Sequence, residues 1–241
     1  MVILASVTLV SLIVLYRGNA MADRTPPGFT RVQVAGLTTL ISPDLQADPA
    51  LRERVMWRLE EQLTAAMKVL PAAGREALRD VRIWVDPAPE ADDDPSGPSG
   101  SLALGLYIGQ TEQVDPESGL RQAQAGDIVI PHPLGLIRAH GQINVLLHEL
   151  AHAYDDRHLK FEDPGVSKAF NAAKKSGQYH LTDVPAGFEH DSYAMRNERE
   201  YFAVLTEAYF GTREQQPRNR AQLRTFDPQG YTAIEHAWGA D

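Results

Sequence analysis

The sequence predicts an α+β domain, on three observations: a long amphipathic helical stretch around residue 60, short apolar runs bounded by turn residues, and an apolar helical segment around residue 148 that carries His and Glu. The chain of 241 residues, less a leader, is long enough for one well-cored domain and short for two. Its hydrophobic fraction of 43% is ordinary for a globular fold. The formal net charge of -9, without any basic cluster, favours solubility and argues against nucleic acid or an anionic membrane surface as partner.

Residues 2–16 form an uncharged apolar run that suits the core of a signal peptide better than a membrane span of about 20 residues. Ala20-Met21-Ala22 then offers a small-x-small cleavage site, so the expected organisation is a leader over 1–22, a linker over 23–28 and one domain over 29–241. Export to a secreted or cell-envelope location follows. Arg17 lies after the apolar run and no Lys or Arg precedes it, so retention as an N-terminal anchor is the alternative. The absence of Cys excludes a lipoprotein anchor and any disulfide, leaving packing and metal to stabilise the exported chain, which is expected to be a monomer.

Residues 29–41 alternate like two short strands about Gly36. Pro49 to Leu70 is expected as a helix burying Val55, Leu59, Leu63 and Met67, followed after Pro71 by a second helix to about Asp80. Arg82 to Asp86 is expected as a strand. Residues 87–100, rich in Pro, Asp, Ser and Gly, form a loop, and the acidic run Glu90 to Asp94 lacks the spaced ligands and Gly of a calcium loop, so it counts as solvated charge. Leu102 to Ile108 and Asp127 to Ile130 are expected strands just before the His-bearing helix at 143–154. Helices at 163–177, 197–211 and 227–238 complete the chain, with a loop at 178–191 that carries His180 and His190.

The chemistry concentrates in His148-Glu149-Leu150-Ala151-His152. On a helix the two His stand one turn apart with their rings on one side, at metal-ligand spacing, while Glu149 is rotated by about 100° toward a water on the metal. Two His and a Glu are costly to bury in an apolar helix unless metal or hydrogen bonds satisfy them.

A catalytic zinc needs a third protein ligand and an open position. His158 completes the His-x3-His-x5-His ligand spacing of the metzincins, with Met195 as a downstream Met, but that geometry needs a helix break where Asp155 stands. If the helix continues, His158 lies about 15 Å along the axis from His148 and cannot share an ion with it. Glu200 is the other candidate. It opens the helix at 197–211 and shares one stripe with Ala203, Val204 and Glu207, and a carboxylate turned toward a core needs a cation.

The segment Tyr193-Ala194-Met195-Arg196-Asn197-Glu198-Arg199-Glu200-Tyr201-Phe202-Ala203, downstream of His-Glu-Leu-Ala-His-Ala-Tyr, resembles the catalytic domain of the anthrax lethal-factor type of gluzincin metallopeptidase. The resemblance covers roughly residues 140–210 and implies a zincin-like single domain, with an active-site helix and a small sheet. It implies a zinc ion held by His148, His152 and Glu200, Glu149 as general base, and Tyr193 beside the metal as donor to the oxyanion. It implies a peptide or protein as substrate; an edge strand near the motif helix pairs with it in zincin-type enzymes, and either Leu102 to Ile108 or Asp127 to Ile130 is placed for that, plain core strand being the alternative. The family commonly has a Glu after Phe-Ala where this chain has Val204, so the support which that carboxylate gives must come from Glu207, from Asp155 or from nothing. A zinc-binding module without catalysis is the alternative of another class; Glu149, which a structural site does not need, argues against it.

Overall fold

The computed structural model describes residues 25–87, 105–110, 124–138, 144–180 and 192–240. The expected leader, the acidic run at 90–94 and His190 lie outside the described residues. The architecture is α+β, a small mixed sheet under a set of helices, as the sequence predicts.

The sheet begins with a hairpin of β1 (Thr30–Val34) and β2 (Leu37–Ile41). Its turn has positive φ at both central residues, 49° at Ala35 and 86° at Gly36, which matches the right-handed twist of the strands. β3 (Arg82–Val85) pairs parallel to β2, β5 (Ile128–Ile130) pairs parallel to β3, and β4 (Leu106–Tyr107) pairs antiparallel to β5. The order β1-β2-β3-β5-β4 therefore puts β4 at the sheet edge. Period-2 alternation divides the side chains: Ile83 and Val85 enter the main core, whereas Trp84 joins Phe29, Leu40 and Val129 in a small cluster on the other face.

Between β2 and β3 the chain is helical. The short α1 (Pro43–Ala47) leads into α2 (Pro49–Val69), whose fully buried stripe is Val55, Leu59, Leu63 and Ala66. Met67, expected on that stripe, is only partly buried, because a period of 3.6 carries the seam back to position 66 by the fourth turn. After α3 (Ala72–Leu78), β3 and the rest of the sheet come α4 (Pro133–Arg138) and α5 (Val145–Tyr154), the latter buried on several faces as its composition requires.

α5 continues into one π-helical turn, Asp155–Leu159, which ends where Lys160 and Phe161 both take positive φ. Then follow α6 (Pro164–Ser176), a 3-10 turn at Tyr193–Met195, α7 (Glu198–Phe210), α8 (Arg220–Phe226) and α9 (Pro228–Ala237). α5 and α7 lie against each other in the middle of the molecule. Trp238, just beyond α9, closes their buried end: its ring stacks on Tyr154 at 3.8 Å between centroids, and its indole N–H donates to the Thr206 hydroxyl at 3.0 Å. The aromatic anchors expected of the C-terminal helix are thus what braces the two central helices.

Candidate metal centre

Two caps fix the helices that carry the site. Asn144 accepts from the Leu147 amide at the start of α5 and donates to the Gln62 carbonyl of α2, while Gln62 Oε1 accepts from the Leu146 amide. Asn197 accepts from the Glu200 amide at 2.9 Å and starts α7 one residue before Glu198. From these fixed ends His148, His152 and Glu200 converge, and one ligand atom of each lies within 4.8 Å of the others.

Their spacing is that of a tetrahedral face. His148 Nε2 is 3.1 Å from His152 Nε2, and Glu200 Oε2 is 3.1 and 3.4 Å from the two. Ligands about 2.0–2.1 Å from a tetrahedral zinc stand about 3.3 Å apart, so the set fits that ion and leaves a fourth position open.

The protonation pattern points the same way. His148 Nδ1 contacts Glu207 Oε1, and the other oxygen of Glu207 accepts from Arg213 Nε at 3.2 Å. A carboxylate at Nδ1 fixes the hydrogen there and turns the Nε2 lone pair toward the other two ligands. Burial alone would lower the His148 imidazole, but the carboxylates of Glu200 and Glu207 raise it to about 10. Burial alone would raise the Glu200 carboxyl, yet His148 and His152 hold it well below the usual carboxylate range. A field that keeps a proton on His148 at that pH favours a divalent cation in the proton's place.

Val204, at the position where the resemblance leads one to expect a Glu, is buried in the core. The supporting carboxylate comes instead from Glu207, one turn further along the same face of α7. Asp155 does not take that part: it lies buried in the π-turn, where desolvation and the neighbouring charges of Glu198 and Asp163 push its carboxyl up to about 7 against the pull of Arg199.

Glu149 is 6% exposed, and its Oε2 accepts from the Tyr107 backbone amide of β4 at 2.8 Å. The chain entering β4 crosses so close that a Cβ on Gly105 would meet Glu149 Cγ at 2.9 Å and force the Glu149 side chain to shift. Asp156, buried in the π-turn, holds the same strand: its Oδ2 accepts from the Tyr107 hydroxyl and the Gln110 amide, both at 2.8 Å. The sequence reading missed this residue, although Asp156 follows Glu149 by seven positions and His152 by four, a spacing that marks one helix face. The Tyr193 ring lies 5.9 Å from that of His148, and burial together with the Glu200 charge pushes its hydroxyl up to about 12, so it is a donor at neutral pH. Glu149, Tyr193 and the three candidate ligands line a cleft of about 260 Å³ that also takes in Leu106, Phe161, Asn197 and Arg199.

The alternative ligand set with His158 is not brought together. The chain stays helical through Leu159, so His158 is carried past the site and lies exposed, its ring 4.8 Å from that of Tyr154. Met195 is buried in the 3-10 turn, and His180 stands on the surface. A larger hollow of about 660 Å³ between α6 and α9 gathers Lys168 and His236 near Asp163, which is engaged in capping α6, and among the described residues no set of metal donors converges there.

The family described as anthrax toxin lethal factor, N- and C-terminal domain, matches residues 107–237, just over half the chain and including His148, Glu149, His152, Tyr193, Glu200 and Glu207. No curated protein and no solved structure matches.

Proposed function

Because the chain belongs to the anthrax toxin lethal factor family, we propose that it is a zinc metallopeptidase that hydrolyses peptide bonds. The observation that carries this reading is the convergence of His148, His152 and Glu200 at tetrahedral spacing beside a carboxylate, Glu149, that such a ligand set does not need. A zinc ion in the set supplies Lewis-acid polarisation of the substrate carbonyl and lowers the pKa of water toward neutrality.

The chain's own groups do the rest. Glu149 takes the proton of the attacking water and returns it to the leaving amine. Tyr193, protonated throughout the neutral range, donates to the oxyanion as charge develops, a bond that is stronger in the transition state than in the ground state. Glu207 holds His148 in the tautomer that offers Nε2. Among the described residues β4 is the sheet edge and lines the cleft, so an extended peptide is held beside it. The enzyme acts as an exported monomer on a peptide or protein, with residues 1–22 as the leader.

The test combines metal content with hydrolysis of a mixed peptide library. Wild type should hold about one zinc per chain and cut peptides. Glu149→Gln should keep the zinc and lose about 10²- to 10⁴-fold in kcat. Zinc retained without any cleavage by the wild type would instead identify a zinc-binding module.

A further inference from the structure

We propose that Arg199 is a specificity-determining residue of this cleft and that the peptide it selects carries a side-chain carboxylate next to the scissile bond; the inference rests on the peptidase reading above. Arg199 precedes Glu200 in the first turn of α7, and among the described residues lining the cleft it is the only Lys or Arg. The cleft's two carboxylates are already committed, Glu200 to the imidazoles and Glu149 to the Tyr107 amide. A cationic substrate side chain therefore finds no free partner among them, whereas an anionic one finds Arg199.

The guanidinium is held ready for such a partner. Its Cζ lies 3.8 Å from the centroid of the Phe161 ring, which also lines the cleft. Among the described residues Arg199 makes no hydrogen bond and no ion pair: Glu198 accepts from the Ser167 hydroxyl, and the buried Asp155 feels the Arg199 charge without pairing to it. The ring is fixed by the backbone beneath it. Lys160 and Phe161 both adopt left-handed conformations, φ 59° and 57°, and the Phe161 amide donates to the Asp155 carbonyl at 3.2 Å. Two successive non-glycine residues in that region persist only where their surroundings over-determine them.

The consequence is a preorganised fork. Stacking one face of the guanidinium on the ring removes rotamers in advance and leaves the N–H edge open to a carboxylate, whose two oxygens match it. Lysine or arginine at the corresponding substrate position meets like charge, so the device both attracts and rejects.

The experiment uses the zinc-loaded full chain carrying Glu149→Gln, so that recognition is read apart from hydrolysis. Two labelled peptide libraries, identical except for Glu in one and Gln in the other at the positions flanking the centre, are titrated by anisotropy. The Glu library should bind about tenfold more tightly than its Gln twin. Arg199→Gln should remove that difference, Arg199→Lys should restore only part of it, Phe161→Leu should shrink it, and Arg199→Glu should turn it toward a Lys library, with zinc content equal throughout. Equal binding of the two libraries, or a preference that survives Arg199→Gln, overturns the proposal. If the preference obeys these variants while the wild type cuts nothing, the peptidase reading falls and the recognition site stands.

Discussion

Along α7 two carboxylates are held on opposite terms, the buried Asp227 and the half-buried Glu200. On one face Tyr201 reaches Asp227, whose oxygens also accept from the Tyr179 hydroxyl at 2.9 Å and the Gly230 amide at 2.9 Å. Every neighbour of that carboxylate is a donor, and the burial and negative charge raise both tyrosine hydroxyls. On the other face, one residue earlier, Glu200 meets two imidazole nitrogens, and His148 is flanked by a second carboxylate. The first arrangement is complete as it stands. The second gathers two imidazoles and two carboxylates whose charge balance calls for a cation, a proton on His148 or a divalent ion among the ligand atoms, and that is the physical difference between a carboxylate that holds a fold and one placed to hold a metal.

The comparison breaks most sharply if the two carboxylates are neutralised separately. Glu200→Gln should lower zinc affinity by more than about 100-fold, beyond the loss typical of changes behind the ligands, and abolish hydrolysis. Asp227→Asn should leave zinc at wild-type content and cost about 2–3 kcal/mol in urea unfolding, because it weakens hydrogen bonds to a buried charge. Zinc loss in the second variant, or a stability loss of that size in the first, would show that the two faces do not differ in kind.

A smaller effect tests how far the metal face extends. Glu207→Gln should weaken zinc by about 10- to 100-fold while the ligands remain, measured by competition with a chromophoric chelator. Conserved affinity would mean that the Glu207 contact does not orient His148.

The pH dependence sharpens the same contrast. His148 has its pKa raised from 6.5 to about 10, so in metal-free protein it contributes stability that is fully present below 6.5 and is lost as pH rises through about 10. Zinc must displace that proton, so binding at pH 7 should release about one proton, read by calorimetry in buffers of different ionisation enthalpy, and should tighten as pH rises. No proton release would mean that His148 is already neutral before the metal arrives.

The smallest effect lies at the rim. Asp156→Asn should cost about 1–2 kcal/mol and expose the Gln110 amide to hydrogen exchange, with zinc unchanged. A fall in zinc content there would place the π-turn within the metal site, not behind the edge strand.

The sequence by itself determined the elements that depend on near neighbours. The span of α6 followed from Asp163 and Gly177 as caps, α7 from Asn197 and Gly211, and the hairpin from Gly36, because capping and turn geometry act within a few residues. His148 and His152 share a face by helical period alone. What brings Glu200 to them is the packing of α5 on α7, which no local rule encodes; the resemblance to a known family supplied that pairing in advance. Only the tertiary structure decided between Glu207 and Asp155 as the partner of His148, since both are helical carboxylates and the choice depends on which helix face meets α5. It alone put β4 at the sheet edge over Glu149, and set Asp156 and Arg199 against partners distant in sequence. Strand order and the docking of helix faces arise from long-range packing, and spacing along the chain carries no measure of them.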